Sequence, residues 1–180
     1  MGNVETASAQ GLLVRRYCYS ETSLIVHWLT EELGWIRTLA KGARRPKNPF
    51  CLSWDPYLLC ELELVVPSRS DLFIIKEVQL LYAFDNLRRN WEVWATAEYL
   101  VELVLAAIES QTQVADLYRL VSLALGYLEK HPPSWMLVER YEYRVAQLSG
   151  TGKDLESALG SSYPRMHRMR ERLREILPPP

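Results

Sequence analysis

Hydrophobic positions recur along this chain with two different periods. Over the first eighty or so residues they form short runs or alternate with polar ones, the spacing of strands. Leu12-Leu13-Val14 follows the turn-like Gln10-Gly11, and Ser23–Thr30 is rich in β-branched and aromatic residues. Glu31-Glu32-Leu33-Gly34 reads as a hairpin connection, with Gly34 able to take a positive φ. Trp35–Ala40 alternates and puts Ile36, Thr38 and Ala40 on one face. Tyr57–Val66 predicts a fourth strand, with Glu61 and Glu63 facing one way and Leu62 and Leu64 the other. A turn at Pro67-Ser68-Arg69-Ser70-Asp71 leads into a fifth, Leu72–Leu81. Five strands in about 70 residues suit a small barrel or sandwich.

From Asp85 the period becomes helical. Trp94, Ala97, Val101, Val104, Leu105 and Ile108 share one stripe, and Val114, Leu117, Leu120, Val121, Leu125 and Leu128 share a second. His131-Pro132-Pro133 breaks the chain, and Ser134 is placed to cap a third helix carrying Val138, Tyr141, Val145 and Leu148. Gly150 serves as its C-terminal stop. Lys153–Leu159 adds a turn or two, and Ser162 is expected to cap a last helix with Met166, Met169, Leu173 and Ile176 inward, ended by Pro178–Pro180. Lys41–Pro56 contains Pro46, Pro49 and Pro56 and reads as an extended loop. The prediction is an α+β chain: an all-β half over residues 1–82 and an all-α half over 83–180.

Composition narrows the class. With 180 residues, 48% hydrophobic and 24% charged, the chain has the make-up of a folded protein. No run approaches the length of a membrane span; Leu103–Ile108 is far too short. Met1–Gln10 has neither the basic start nor the apolar block of a secretory signal, so a cytoplasmic protein is expected. Cys18, Cys51 and Cys60 are odd in number and widely spaced, which argues against a disulfide framework or a structural zinc site and for partly buried free thiols. The net charge of −1 conceals an asymmetry: residues 1–50 carry seven Lys/Arg against four Asp/Glu, residues 51–130 six against twelve, and residues 131–180 eight against six. A chain can hold a polyanion without overall positive charge if its cations share a face.

The strongest local feature is Lys41-Gly42-Ala43-Arg44-Arg45-Pro46-Lys47, which with Arg37 gathers cations with no acid among them. Arg15 and Arg16 on the first strand extend the patch, and Tyr17, Tyr19, Trp35, Phe50, Trp54 and Tyr57 lie nearby in sequence. Cations meet successive phosphates and aromatic faces stack bases, so this mixture on a small barrel describes a single-strand binding surface. The same run also fits a solvated loop over core aromatics. The last helix carries Arg165, Arg168, Arg170, Arg172 and Arg174, either as a nucleic-acid or partner contact or as a solvated face relieved by Glu171 and Glu175. Catalytic signals are missing: His27, His131 and His167 are far apart without ligand-type neighbours, no phosphate-cradling or nucleophile-elbow motif occurs, and Glu61 with Glu63 lacks a base, nucleophile or metal partner.

At this point the motifs resemble a known family. Tyr19-Ser20-Glu21-Thr22-Ser23-Leu24-Ile25-Val26, then Thr30-Glu31-Glu32-Leu33-Gly34, then Leu39-Ala40-Lys41-Gly42-Ala43-Arg44-Arg45-Pro46-Lys47, resemble the N-terminal pattern of the RecO family over roughly residues 8–82. Glu98–Leu103 is similar, more loosely, to the start of that family's helical part. The resemblance implies a five-stranded OB-fold barrel followed by a helical bundle. It implies binding of single- and double-stranded DNA, strand annealing and recombinase loading, with RecR and the C-terminal tail of single-strand-binding protein as partners, no catalytic site and a nucleoid-associated location. DNA contact carries over to Lys41, Arg44, Arg45 and Lys47; Arg37, Arg15 and Arg16 are added from strand geometry. Many members carry a four-cysteine zinc module after the helices, whereas this chain has no cysteine beyond Cys60 and Gly150–Leu159 stands where that module would begin. A short form without zinc or other cofactor is therefore expected. The alternative is a protein-binding adaptor with little DNA affinity, whose helical part docks the single-strand-binding protein tail.

Overall fold

A computed structural model describes residues 5–68, 70–110 and 114–177. The expected turn at Pro67–Asp71 includes Arg69, and the expected terminator is Pro178–Pro180; these four residues lie outside the described ones. The chain divides into two compact units, 1–83 and 84–180.

The first unit is a sheet of five strands: β1 (Thr6–Cys18), β2 (Leu24–Thr30), β3 (Trp35–Ala40), β4 (Leu58–Val65) and β5 (Leu72–Ala83). It closes in the order β1-β2-β3-β5-β4, with β4 returning to β1; β3 and β5 pair in parallel and the other neighbours antiparallel. Closure removes exposed strand edges, and alternation along each strand sorts side chains between the interior and solvent. On β4, Leu58, Cys60, Leu62 and Leu64 are buried, while Glu61 is exposed and Glu63 half-buried. Ile36, Thr38 and Ala40 point inward on β3 as their spacing predicts.

β1 is much longer than Leu12–Val14 suggests, and it is not regular. Its pairing with β2 slips between Leu13, opposite Trp28, and Arg15, opposite His27, so Val14 is an extra residue, a β-bulge. The barrel centre is Trp28, whose indole N–H donates to Thr38 Oγ1 at 2.8 Å, while that hydroxyl donates to Val26 O at 3.2 Å. Both buried polar groups are thereby satisfied. Gly11 makes room for this core: a Cβ there would stand 2.9 Å from Leu62 Cδ1 and 3.1 Å from Trp28 Cε3.

The segment between β3 and β4 contains no helix, as its prolines require, but it is not a free extended loop. Ala43, Leu52 and Trp54 join the barrel core with Leu13, Leu24, Ala40 and Leu58. Turning inward takes three non-glycine residues into the left-handed region: Cys51 at φ 51°, Trp54 at 60° and Tyr57 at 65°. Each costs on the order of 1 kcal/mol, which burial of Leu52 and the two aromatic rings offsets.

The second unit is helical: a 3-10 turn Asp85–Arg88, α1 (Trp91–Ser110), α2 (Val114–Leu128), α3 (Trp135–Leu148), α4 (Leu155–Leu159) and α5 (Tyr163–Ile176). One stripe does not describe α1. Ala97, Leu100, Val101, Leu103, Val104, Leu105, Ala106 and Ala107 are all buried, because α2, α3, α4 and α5 each pack against it. The Ser134 hydroxyl accepts from Leu137 N and caps α3, and Gly150 sits at φ 76° just past its end. Ser162 makes no capping bond: a 3-10 turn, Gly160–Ser162, puts it in helical conformation, and Pro164 takes the second position of α5, where its missing N–H costs no helical bond. Among the described residues no helix is long and apolar enough to cross a membrane.

Candidate nucleic-acid interface

The bulge at Val14 decides where the first-strand cations go. Arg15 and Tyr17 lie opposite His27 and Ile25, whereas Arg16 lies opposite the buried Val26. Adjacent residues on a strand face opposite sides, so Arg15 and Arg16 do not form one patch. On β3, Arg37 lies opposite His27, giving a cross-strand row Arg15–His27–Arg37 on the outer face. Aromatic rings flank it: Tyr17 is 5.0 Å from His27, and Trp35 is 5.9 Å from it. His27 is held below its ordinary pKa of 6.5, first by burial and then by the charges of Arg15 and Arg37. Arg37 is partly spent, because it is ion-paired with Asp71, whose carboxyl that hydrogen bond holds below its ordinary range.

Arg16 belongs to a second cluster, held by the end of the β3–β4 segment. It donates to Ser53 O at 3.1 Å and lies 3.6 Å from the Asp55 carboxylate. The turn between β1 and β2 receives the basic loop: Arg44 N donates to Thr22 O at 3.0 Å, the Arg44 guanidinium to Ser20 O at 2.9 Å, and Gly42 N to Ser23 Oγ at 3.4 Å. Gly42 sits at φ 76°, and the Arg45 side chain folds back over it. Lys41, Arg44, Arg45 and Lys47 are all exposed, and among the described residues no carboxylate pairs with any of them. Between turn and loop lies a groove of about 440 Å³ lined by Arg16, Tyr17, Cys18, Arg44, Ser53 and Trp54, among others.

Of the nearby aromatics, Tyr17 at 49% and Tyr19 at 59% exposure offer a face to solvent. Trp54 and Tyr57 are core residues, Phe50 packs edge-on against Trp54 at 5.2 Å, and Trp35 is half-buried. Alternation alone could not separate these classes, since the segment holding Phe50, Trp54 and Tyr57 has no strand period. Cys18 and Cys51 are exposed and Cys60 is buried, its thiol pushed up to about 12 by that burial. Among the described residues no group of three or more His, Cys, Asp or Glu is placed to hold a metal ion.

The α5 arginines are used differently. Arg165 pairs with Glu102 of α1 at 2.8 Å, and Arg170 Nε donates to Glu142 of α3 at 2.6 Å. Tyr99 OH donates to the same carboxylate oxygen at 2.6 Å; burial first, then Glu142, pushes the phenol's pKa up. Arg170 and Arg174 lie over the Trp135 ring at 4.7 and 5.0 Å. These side chains fasten α5 to the bundle. Arg168 and Arg172 are exposed.

A closed five-stranded barrel with an acid-free cationic loop, followed by a helical bundle, defines an α+β protein of OB-fold type. Residues 4–84 match the family Recombination protein O N terminal, and residues 88–162 match Recombination protein O C terminal. A DNA repair protein RecO from Exiguobacterium sp. is 30% identical over 140 residues, which are 78% of this chain and 55% of that protein. Another from Rhodopirellula baltica is 32% identical over 118 residues, 66% of this chain and 44% of that protein. A third from Cutibacterium acnes is 29% identical, covering 88% of this chain and 66% of its own length. The chain thus spans about half the length of the first two relatives. It belongs to the RecO family of DNA repair and recombination proteins.

Proposed function

We propose that this chain is a non-enzymatic, DNA-binding recombination mediator that promotes strand annealing and recombinase loading. Single- and double-stranded DNA are its ligands, RecR and the single-strand-binding protein tail its protein partners, and the cytoplasmic nucleoid its place of work. One observation carries the reading: Lys41, Arg44, Arg45 and Lys47 project from a loop anchored by Ala43 and bonded to the turn Ser20–Ser23, unpaired with carboxylates among the described residues, and exposed Tyr17 and Tyr19 lie close in the chain to that turn. The cations of such a loop neutralise phosphates and release the counterions condensed on them, so affinity for single strands should fall by about 0.7 log units per log unit of salt for each contact. Titrating an oligothymidylate at several salt concentrations tests it. Reversing Lys41, Arg44 and Arg45 to Glu should weaken binding and flatten the slope by about 2; an unchanged slope would remove the mechanism.

A second reading, the protein-binding adaptor, is favoured by a groove of about 550 Å³ between α1 and α5. Trp91, 67% exposed, lines it with Met169, Ile176 and Arg172. An acidic, apolar peptide tail could place its side chains on the former and its carboxylate on Arg172. Glu98 and Glu175 also line the groove and weaken its claim on such a ligand. Tail binding by a chain that ignores DNA would favour this second reading.

A further inference from the structure

The cations of the basic loop and first strand are not equivalent. Arg16 and Arg44 each have a guanidinium already held by one backbone carbonyl, Ser53 O at 3.1 Å and Ser20 O at 2.9 Å. A guanidinium has five N–H donors in a fixed fork, so one such bond orients the group and leaves others for a ligand. Lys41 and Lys47 are exposed without any such anchor among the described residues. Both anchored arginines line the same groove, and the half-exposed Tyr17 stands at its rim with its ring turned toward His27 on the outer face, within reach of a base whose phosphate lies in the groove. Its volume of about 440 Å³ falls within the range of small-ligand sites. The groove wall is rigid because Trp54, Leu52, Ala43 and Leu24 are core residues.

We propose that this groove seats one nucleotide unit of a single strand, its phosphate clamped by Arg16 and Arg44 and its base stacked on Tyr17. Lys41, Arg45 and Lys47 then act at a distance, raising the local concentration of the strand without positioning it. Asp55 competes with the phosphate for Arg16 and sets a threshold: the ligand must displace an ion pair of 3.6 Å with both side chains 44% exposed, a weak one. Prior orientation matters because immobilising a long side chain on binding costs affinity, and here that ordering is already present in the free protein. The inference rests on the DNA-binding reading above and deepens it, since composition treats all these cations alike.

The test keeps charge constant. In the full chain, Arg16→Lys with Arg44→Lys preserves net charge while removing the fork, and Arg140→Lys with Arg144→Lys, exposed on α3 in the helical unit, is the control. Binding is measured with an oligothymidylate and with an abasic strand of equal length. The first pair should weaken binding of both strands about tenfold, mainly through faster dissociation, and the control should leave them unchanged. Tyr17→Leu should weaken the oligothymidylate about tenfold and spare the abasic strand. Equal affinities for the Arg16→Lys/Arg44→Lys chain and the parent, or equal losses on both strands for Tyr17→Leu, would overturn the seat while leaving the DNA-binding reading intact. Failure of the parent chain to bind either strand would instead overturn the reading itself.

Discussion

Two stretches of this chain are rich in cations, Lys41–Lys47 in the barrel unit and Arg165–Arg174 in the helical unit, and the fold uses them in opposite ways. Helix α5 must bury Met166 and Leu173 against a bundle whose other helices carry carboxylates. Glu102 and Glu142 meet Arg165 and Arg170 there, and the Trp135 ring lies under Arg170 and Arg174. The basic loop has buried only Ala43 of its seven residues' side chains, and no acid lies against its four cations among the described residues. The difference teaches that the density of positive charge in a sequence says little about its availability. Availability depends on whether the element carrying the charge must pack against neighbours that present acids.

Glu142 is the carboxylate on which the packing of α5 depends most. Glu142→Gln keeps an acceptor oxygen but removes the negative charge shared by Tyr99 and Arg170, and leaves a partly buried guanidinium without its counter-charge. About 3 kcal/mol of stability should disappear from the helical unit, read by denaturant unfolding of the full chain. A loss within experimental error would mean that the α5 arginines are surface charges after all.

Charge reversal sharpens the same contrast. Lys41→Glu, Arg44→Glu and Arg45→Glu together should reduce affinity for a single strand about a hundredfold at low salt. Reversing Arg168 and Arg172, exposed on α5, should change it by less than about threefold. A larger effect from the α5 pair would return that helix to the candidate interface.

Gly11→Ala tests how closely the barrel is packed. The new methyl group would meet Leu62 and Trp28 at 2.9 and 3.1 Å, so a loss of about 1–2 kcal/mol is expected. A thermal scan showing no change would imply that the core yields more readily than its contacts suggest.

The smallest effect concerns His27. Its folded pKa lies below 6.5, from burial and then from Arg15 and Arg37, so folding disfavours the imidazolium. The resulting stability is complete above about pH 6.5 and is lost as pH falls through the folded value. His27→Gln should flatten stability across that interval. Parallel curves for the two proteins would assign the acid sensitivity to another group.

Much of the architecture was legible in one dimension. Alternation on β3 and β4 and the helical stripes of α2 and α3 follow from burial of one face, a constraint that each residue's type announces. The Ser134 cap and the positive φ of Gly34 and Gly150 are likewise local, because the atoms involved lie within a few bonds of one another. The basic motif and its resemblance to RecO were readable for the same reason: contiguous residues carry them. What the sequence by itself could not determine is every property that depends on who faces whom. A single bulge at Val14 decides that Arg15, and not Arg16, lies opposite His27 in the outer row. Long-range packing takes Trp54 and Tyr57 out of the set of stacking surfaces and leaves Tyr17 and Tyr19 in it. Asp71 and Glu142, distant in sequence from Arg37 and Arg170, claim those guanidiniums through space. Tertiary structure decided these points because charge neutralisation, burial and stacking act across distances of a few ångströms that chain position does not encode.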